Sequence, residues 1–284
     1  MLKEFLSLLA DPSILSIVLI GLLVGIMVSV CSSLLGVSLV LKRFSMIGDG
    51  LSHVGYGALA VSTALKLSGD YSLEISIPIV VVAAFFILKI NSSGKINSDA
   101  AIALVSTSAL SLGTIIFSLS GGSAADACNS LFGSASLITI NSKDLILSLI
   151  LSIITILIFI LFYNRIFAIT FDENFAKATG IKAELYNVII SLLTAITIVV
   201  GMRIMGAVLI SGVIIFPNLT AMRICKSFKS VVLTSLLVSI LSFIIGFFAA
   251  CILNLQIGPA VIVANLLAFI LFGIIGSFKN LKKA

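Results

Sequence analysis

The sequence predicts an all-α, polytopic membrane protein of eight to nine transmembrane helices, and three observations predict it. Hydrophobic residues make up 60% of the 284 and charged residues only 10%, against about 25% charged in a soluble domain; mean hydropathy is +1.32. The apolar residues fall in nine runs, 14–41, 44–67, 75–88, 100–119, 145–162, 185–200, 204–222, 231–253 and 259–272, most of them near the ~17–25 residues that span a bilayer. Positive charge alternates with these runs. If the break at Lys42 and Arg43 is cytoplasmic, nine spans put thirteen of the seventeen basic residues on that side, leaving Lys3, Lys66, Lys143 and Arg203 outside, which is the bias expected of cytoplasmic loops.

Each element has its own grounds. Residues 1–13, MLKEFLSLLADPS, match a cleavable signal peptide poorly and read as an interfacial helix leading into the first span. That span is long for one crossing and the third run is short, so eight crossings plus a re-entrant or interfacial piece is the alternative to nine. The last run ends before Lys279, Lys282 and Lys283, which places the C-terminus in the cytoplasm. The whole chain, 1–284, then forms one transmembrane domain with lipid around it. Its net charge of +6 reflects this topology. No basic stripe interleaved with aromatics marks a nucleic-acid partner. Cys31, Cys128, Cys225 and Cys251 lack CxxC or CxxH spacing and read as small core residues, with no zinc site or disulfide frame.

The second run contains GDGLSHVGYG, 48–57, which sets Asp49 and the only histidine, His53, in an apolar segment. On a helix the two lie one turn apart on one face, about 6 Å along the axis. They can share a divalent cation or hydrogen-bond to one another to close a helix contact. Ionisable groups at membrane depth usually mark a substrate path. Ser52 and Tyr56 lie on the same general face, as candidates either to support such ligands or to pack. A methionine-lined path through Met202, Met205 and Met222 is the weaker reading, since methionine usually fills gaps in apolar helices.

Two loops are longer than a turn requires. The outer one, 120–144, rich in Gly, Ser and Asn, is either a connector or a short re-entrant or surface helix. The inner one, about 163–184, has helix grammar: Asp172 as N-cap, Glu173 in the first turn, Phe175 and Ala178 three apart, Gly180 as the stop. A short amphipathic helix with an exposed Phe is a docking knob for another protein or a helix lying on the bilayer. Further on, Pro217, Asn218 and Thr220 predict a membrane-embedded helix break that exposes polar backbone to a path; ordinary helix packing is the alternative, and for the nearby Gly201, Gly206 and Gly212 alone it is the better reading.

Enzymatic chemistry finds no support. The chain lacks G-x-x-x-x-G-K-[ST], so it is not itself an ATPase of that type; Met46 stands where a GxGD motif needs glycine, and a single histidine excludes HExxH.

Together these stretches resemble the integral-membrane permease of the metal-ion (zinc, manganese, iron) ABC importers. The pattern G-x-x-L-V-L-[RK]-R-x-S-x-[IM]-G-D-A-L-S-H is met by GVSLVLKRFSMIGDGLSH, with Gly50 in place of alanine. Asp172–Gly180 is similar to D-x-[ED]-x-A-x-A-x-G, and GAVLISGVIIFPNLTA to G-x-x-L-x-x-[AS]-x-x-x-x-P-x-x-[TA]-A. The resemblance implies a fold similar to the type II, vitamin B12-type importer permease. It also implies a second permease copy or paralogue, a pair of cytoplasmic ATPase subunits, an extracytoplasmic metal-binding protein, and a bacterial cytoplasmic membrane. By the same resemblance Asp49 and His53 contact the metal, and Asp172, Glu173, Phe175, Ala176, Ala178 and Gly180 belong to the helix that couples to the ATPase. The divalent metal is cargo, with no permanently bound cofactor. After the histidine the family often has H-A-x-L-P-G, whereas 53–57 read HVGYG, which leaves the course of the helix beyond the site unspecified. The alternatives are a permease for cobalamin or siderophores, which has no need of the Asp/His pair, and a proton-coupled secondary transporter, which gives no reason for the 172–180 helix.

Overall fold

The computed structural model of the chain describes residues 12–42, 44–65, 72–92, 98–121, 124–133 and 142–281. The expected interfacial helix at the N-terminus falls on residues outside this set. Twelve helices occur among the described residues: α1 (Pro12–Leu41), α2 (Met46–Ala64), α3 (Ser72–Ser92), α4 (Ser98–Leu119), α5 (Ala124–Phe132), α6 (Ser142–Leu161), α7 (Tyr163–Phe171), α8 (Glu173–Ala178), α9 (Ala183–Met205), α10 (Ala207–Met222), α11 (Phe228–Leu253) and α12 (Ile257–Leu281).

Nine of these have 16 to 30 residues and correspond one to one with the nine apolar runs. Six, α1, α4, α6, α9, α11 and α12, are long and apolar enough by themselves to cross a membrane; α10 is apolar but shorter. The outer loop does contain a helix, α5, and the inner loop contains two, α7 and α8.

Lipid leaves no hydrophobic drive between helices, so contact faces are made by small residues and by polar groups that need partners. The periphery is accordingly the apolar part. On α11, Leu233, Leu237, Leu241 and Ile245 recur every four residues and are exposed, while Ser235, Ser239 and Ser242 turn inward and are buried. Ser239 donates to the Ser29 carbonyl of α1 at 3.0 Å. At the middle of the bundle stands α10, packed by α1, α2, α9, α11 and α12.

The expected break at Pro217, Asn218 and Thr220 does not occur. Pro217 lies inside a continuous α10. Asn218 and Thr220 are buried and spend their donors within the helix, Asn218 Nδ2 on the Ile214 carbonyl at 2.6 Å and Thr220 Oγ1 on the Phe216 carbonyl at 2.7 Å. The Asn218 oxygen accepts from Ser235, whose hydroxyl also meets that of Ser33 at 3.1 Å. These residues therefore tie α10 to α11 and α1.

The break falls instead at Gly206, where φ is 87° and ψ 155°, a region essentially closed to other residues. The chain turns back there sharply enough that a Cβ built on Gly201 would lie 2.5 Å from Ile210 Cδ1. This turn displaces the end of α9 from the expected residue 200 to Met205 and carries Arg203 into the helix. The end of α5 sits on the joint: a Cβ on Gly206 would lie 2.3 Å from the Gly133 nitrogen.

Candidate functional site

The corner between α1 and α2 is short and internally bonded. Phe44 N–H donates to the Leu39 carbonyl at 2.8 Å, and Ile47 N–H to that of Phe44 at 3.1 Å. From this corner α2 runs unbroken through Gly55 and Gly57 to Ala64, so the HVGYG departure does not bend it.

Glycines bring α2 against its neighbours. Gly50 and Gly57, two turns apart, face α4: a Cβ on Gly50 would stand 2.7 Å from Ile102 Cγ2, and one on Gly57 3.0 Å from the Ala109 carbonyl oxygen. Gly50, where the resembling pattern has alanine, thus fits this particular neighbour. Gly48 faces Ser211 and Ile214 of α10.

With those faces packed, Asp49 and His53 occupy the remaining stripe. Their side chains are 34% and 16% exposed, with His53 Nε2 and Asp49 Oδ2 3.6 Å apart. The Ser211 hydroxyl of α10 lies against the Asp49 carboxylate. His53 Nδ1 is buried without a hydrogen-bond partner among the described residues. The predicted supporting residues face other tasks. Ser52 Oγ donates to the Asp49 carbonyl at 2.7 Å, inside its own helix. Tyr56 is buried with its ring stacked 6.5 Å from that of Phe117 on α4, its hydroxyl having no partner among the described residues. No group of three or more His, Cys, Asp or Glu that could hold a metal occurs among the described residues. The Asp49 carboxylate and His53 imidazole are two groups of a kind that can ligate a cation, and a tetrahedral or octahedral shell needs more.

The inner loop is built as its sequence predicts. Asp172 caps α8, accepting from Phe175 N–H at 2.9 Å, and Gly180 ends it with φ 85°. Ala176 is fully buried against Ile169, Ala183 and Tyr186, pinning α8 to α7 and α9. Phe175, on the other side, is 63% exposed, and Ala178 is exposed too.

Glu173 binds this helix to the rest of the protein. Its Oε2 accepts from Lys42 Nζ at 3.2 Å and Asn187 Nδ2 at 3.0 Å, its Oε1 from Lys177 Nζ at 3.1 Å, and Lys42 also donates to Asn187 Oδ1 at 2.6 Å. Burial pulls the Lys42 ammonium below the ordinary lysine range, against the pull of Glu173. Burial pushes Glu173 upward, but the hydrogen bonds from Asn187, Lys177 and Lys42 prevail and hold its carboxyl below its ordinary value. Beside the cluster opens a cavity of about 660 Å³, walled by Phe44, Ile47, Phe85 and Val188 among others.

Sequence reasoning missed this cluster, as it did the 2.6 Å ion pair of Arg203 with the buried Asp144 that joins α9 to α6. The one signal available was the charge of Arg203, stranded from its cytoplasmic peers. Of the cysteines, Cys31 is buried as expected but Cys128 is exposed.

An all-α bundle of long apolar helices with an apolar periphery, polar groups turned inward and a capped surface helix is a polytopic membrane protein. The model described as the ABC 3 transport family matches residues 15–276, and the chain belongs to that family. It is 28% identical over 251 residues to the high-affinity zinc uptake system membrane protein ZnuB of Haemophilus influenzae, covering 88% of this chain and 94% of that one. It is 27% identical over 270 residues to the manganese import system permease protein ScaB of Streptococcus gordonii, covering 95% and 94%. Among solved structures, PsaBC from Streptococcus pneumoniae in complex with Fab superposes with a TM-score of 0.80 at 25% identity, over 96% of this chain and 95% of that one. Besides Gly50, two positions depart from the resembling patterns: Asn174, at the [ED] position on α8, is exposed, and Gly212, at the [AS] position, packs against Ile262.

Proposed function

We propose that this chain is the permease subunit of an ATP-driven importer that moves a divalent transition metal, zinc, manganese or ferrous iron, across the bacterial cytoplasmic membrane. The observation that carries the reading is the Asp49–His53 pair, a carboxylate and an imidazole 3.6 Å apart on a helix whose buried residues are mostly apolar or small. Such a pair suits all three ions. Two copies of the permease, related by a two-fold axis, supply up to four ligands, enough to replace much of an ion's water shell and few enough to let it go.

The energy comes from separate cytoplasmic ATPase subunits. They receive α8, with Phe175 as the side chain that enters their groove and Asp172 and Gly180 setting the helix's length. A metal-binding protein delivers the ion on the far side, and the C-terminus lies in the cytoplasm with the basic end of the bundle. Closure of the ATPase pair on ATP moves α8 and switches the dimer between outward-open and inward-open states.

The test is ATP-dependent uptake of radiolabelled zinc and manganese into vesicles holding the permease, its ATPase and its binding protein, with Asp49→Ala and His53→Ala alongside. Uptake should collapse in both variants while the ATPase still co-purifies, and the faster ion names the cargo. Normal uptake in both variants overturns the assignment of the pair.

A further inference from the structure

The elbow formed by α7 and α8 grips the last turn of α1 at two points one turn apart. Thr170 Oγ1 lies 3.4 Å from Ser38 Oγ. Four residues further along the chain, just past the end of α1, Lys42 holds Glu173 of α8 and Asn187 of α9 together, all three side chains bonded pairwise at 2.6 to 3.2 Å. The Lys42 side chain is 12% exposed, so moving Glu173 away leaves a mostly buried ammonium with half its partners gone, a costly state.

Beyond Lys42, backbone bonds from Phe44 N–H to Leu39 and from Ile47 N–H to Phe44 tie the start of α2 back to the end of α1, and Asp49 follows Lys42 by seven positions. Elsewhere the space between α8 and this corner is the cavity of about 660 Å³ walled by Phe44, Ile47, Glu173 and Asn187. Apolar packing across that gap is thin, and the polar triad bridges it.

We propose that the Lys42–Glu173–Asn187 clamp is the transmission link that carries a displacement of α8 through the α1–α2 corner to Asp49 and His53. Lys42 and Asn187 touch neither the cation nor the ATPase in this scheme; they are positioning residues. The inference rests on the reading of the chain as an ATP-driven metal permease. It adds the route by which the work of the ATPase reaches the pair.

The experiment uses the complete transporter in vesicles, with wild type, Lys42→Met, Glu173→Gln and the double variant. It reads two quantities: ATP hydrolysed per zinc or manganese ion carried, and the change in hydrogen–deuterium exchange over residues 44–53 when ATP is added. The clamp predicts that Lys42→Met still assembles with its ATPase. It also predicts that each single change raises the ATP-to-metal ratio about tenfold, within the range by which residues along a coupling network act. The double variant should be no worse than either single one, because both changes cut the same link. The ATP-induced exchange change, present in wild type, should vanish in Lys42→Met.

An unchanged ratio, losses that multiply in the double variant, an exchange response that survives Lys42→Met or is absent from wild type, or failure of Lys42→Met to bind the ATPase each overturns the link. The metal reading fails separately. Should wild type carry neither ion while its exchange response is present and is lost in Lys42→Met, the link stands and the cargo is wrong.

Discussion

Replacing Gly206 by alanine tests the hairpin that joins α9 to α10. The backbone there has φ 87° and ψ 155°, where a residue with a Cβ costs on the order of 1–3 kcal/mol. The new methyl would also stand 2.3 Å from the Gly133 nitrogen, 2.4 Å from the Phe132 carbonyl carbon and 2.6 Å from the Leu131 oxygen. These are backbone atoms that no side-chain rotation removes. Overpacking of this kind adds about 1–3 kcal/mol, so the sum is roughly 2–6 kcal/mol. At a few degrees per kcal/mol for a chain of this size, the midpoint should fall by on the order of 10 °C. Gly212→Ala is the control. It meets one atom closer than 3.0 Å, the Cδ1 tip of Ile262 at 2.6 Å, which can rotate away, and alanine gains about 1 kcal/mol of helix propensity over glycine. The assay is thermal unfolding of the detergent-solubilised permease followed by size-exclusion chromatography. A Gly206→Ala midpoint within a degree or two of wild type, or a Gly212→Ala loss equal to it, refutes the reasoning.

Asp172→Ala removes the cap of α8 and should cost about 1 kcal/mol; because α8 is only six residues long, the loss should appear as weaker ATPase co-purification with little change in the melting of the permease, and unaltered affinity sinks it. Glu173 gives a pH test: its folded carboxyl lies below the ordinary 4.5, so its stabilisation is complete above that value and is lost as pH falls through the folded one. The difference in melting midpoint between wild type and Glu173→Gln should therefore hold steady from neutral pH down to about 5 and shrink below it, and a difference that grows with acid contradicts the assignment.

The sites legible in sequence were those whose parts lie close together in the chain. Asp49 and His53 share a face because four residues make about one helical turn. The Asp172 cap and the Gly180 stop span nine positions, and both form as their residue types require. The Pro217 reading failed for an instructive reason. Proline weakens a helix locally, but α10 is held on all sides by α1, α2, α9, α11 and α12, and that packing keeps it continuous. The weaker local signal, Gly206, became the break because α5 and α9 converge on it.

By itself the sequence located the nine apolar runs that become the long helices, while leaving eight or nine crossings open, since burial in lipid rewards each apolar run separately and backbone hydrogen bonds close within it. It also determined the polar pair on α2 and the capped helix beside α7. Tertiary structure alone decided which polar groups meet: Arg203 with Asp144 across 59 positions, Lys42 with Glu173 and Asn187 across 131 and 145, and Ser33 with Ser235 across 202. Hydropathy and capping act within a turn or a span, whereas these pairings depend on which helix faces lie together, and that is set by the packing of the whole bundle.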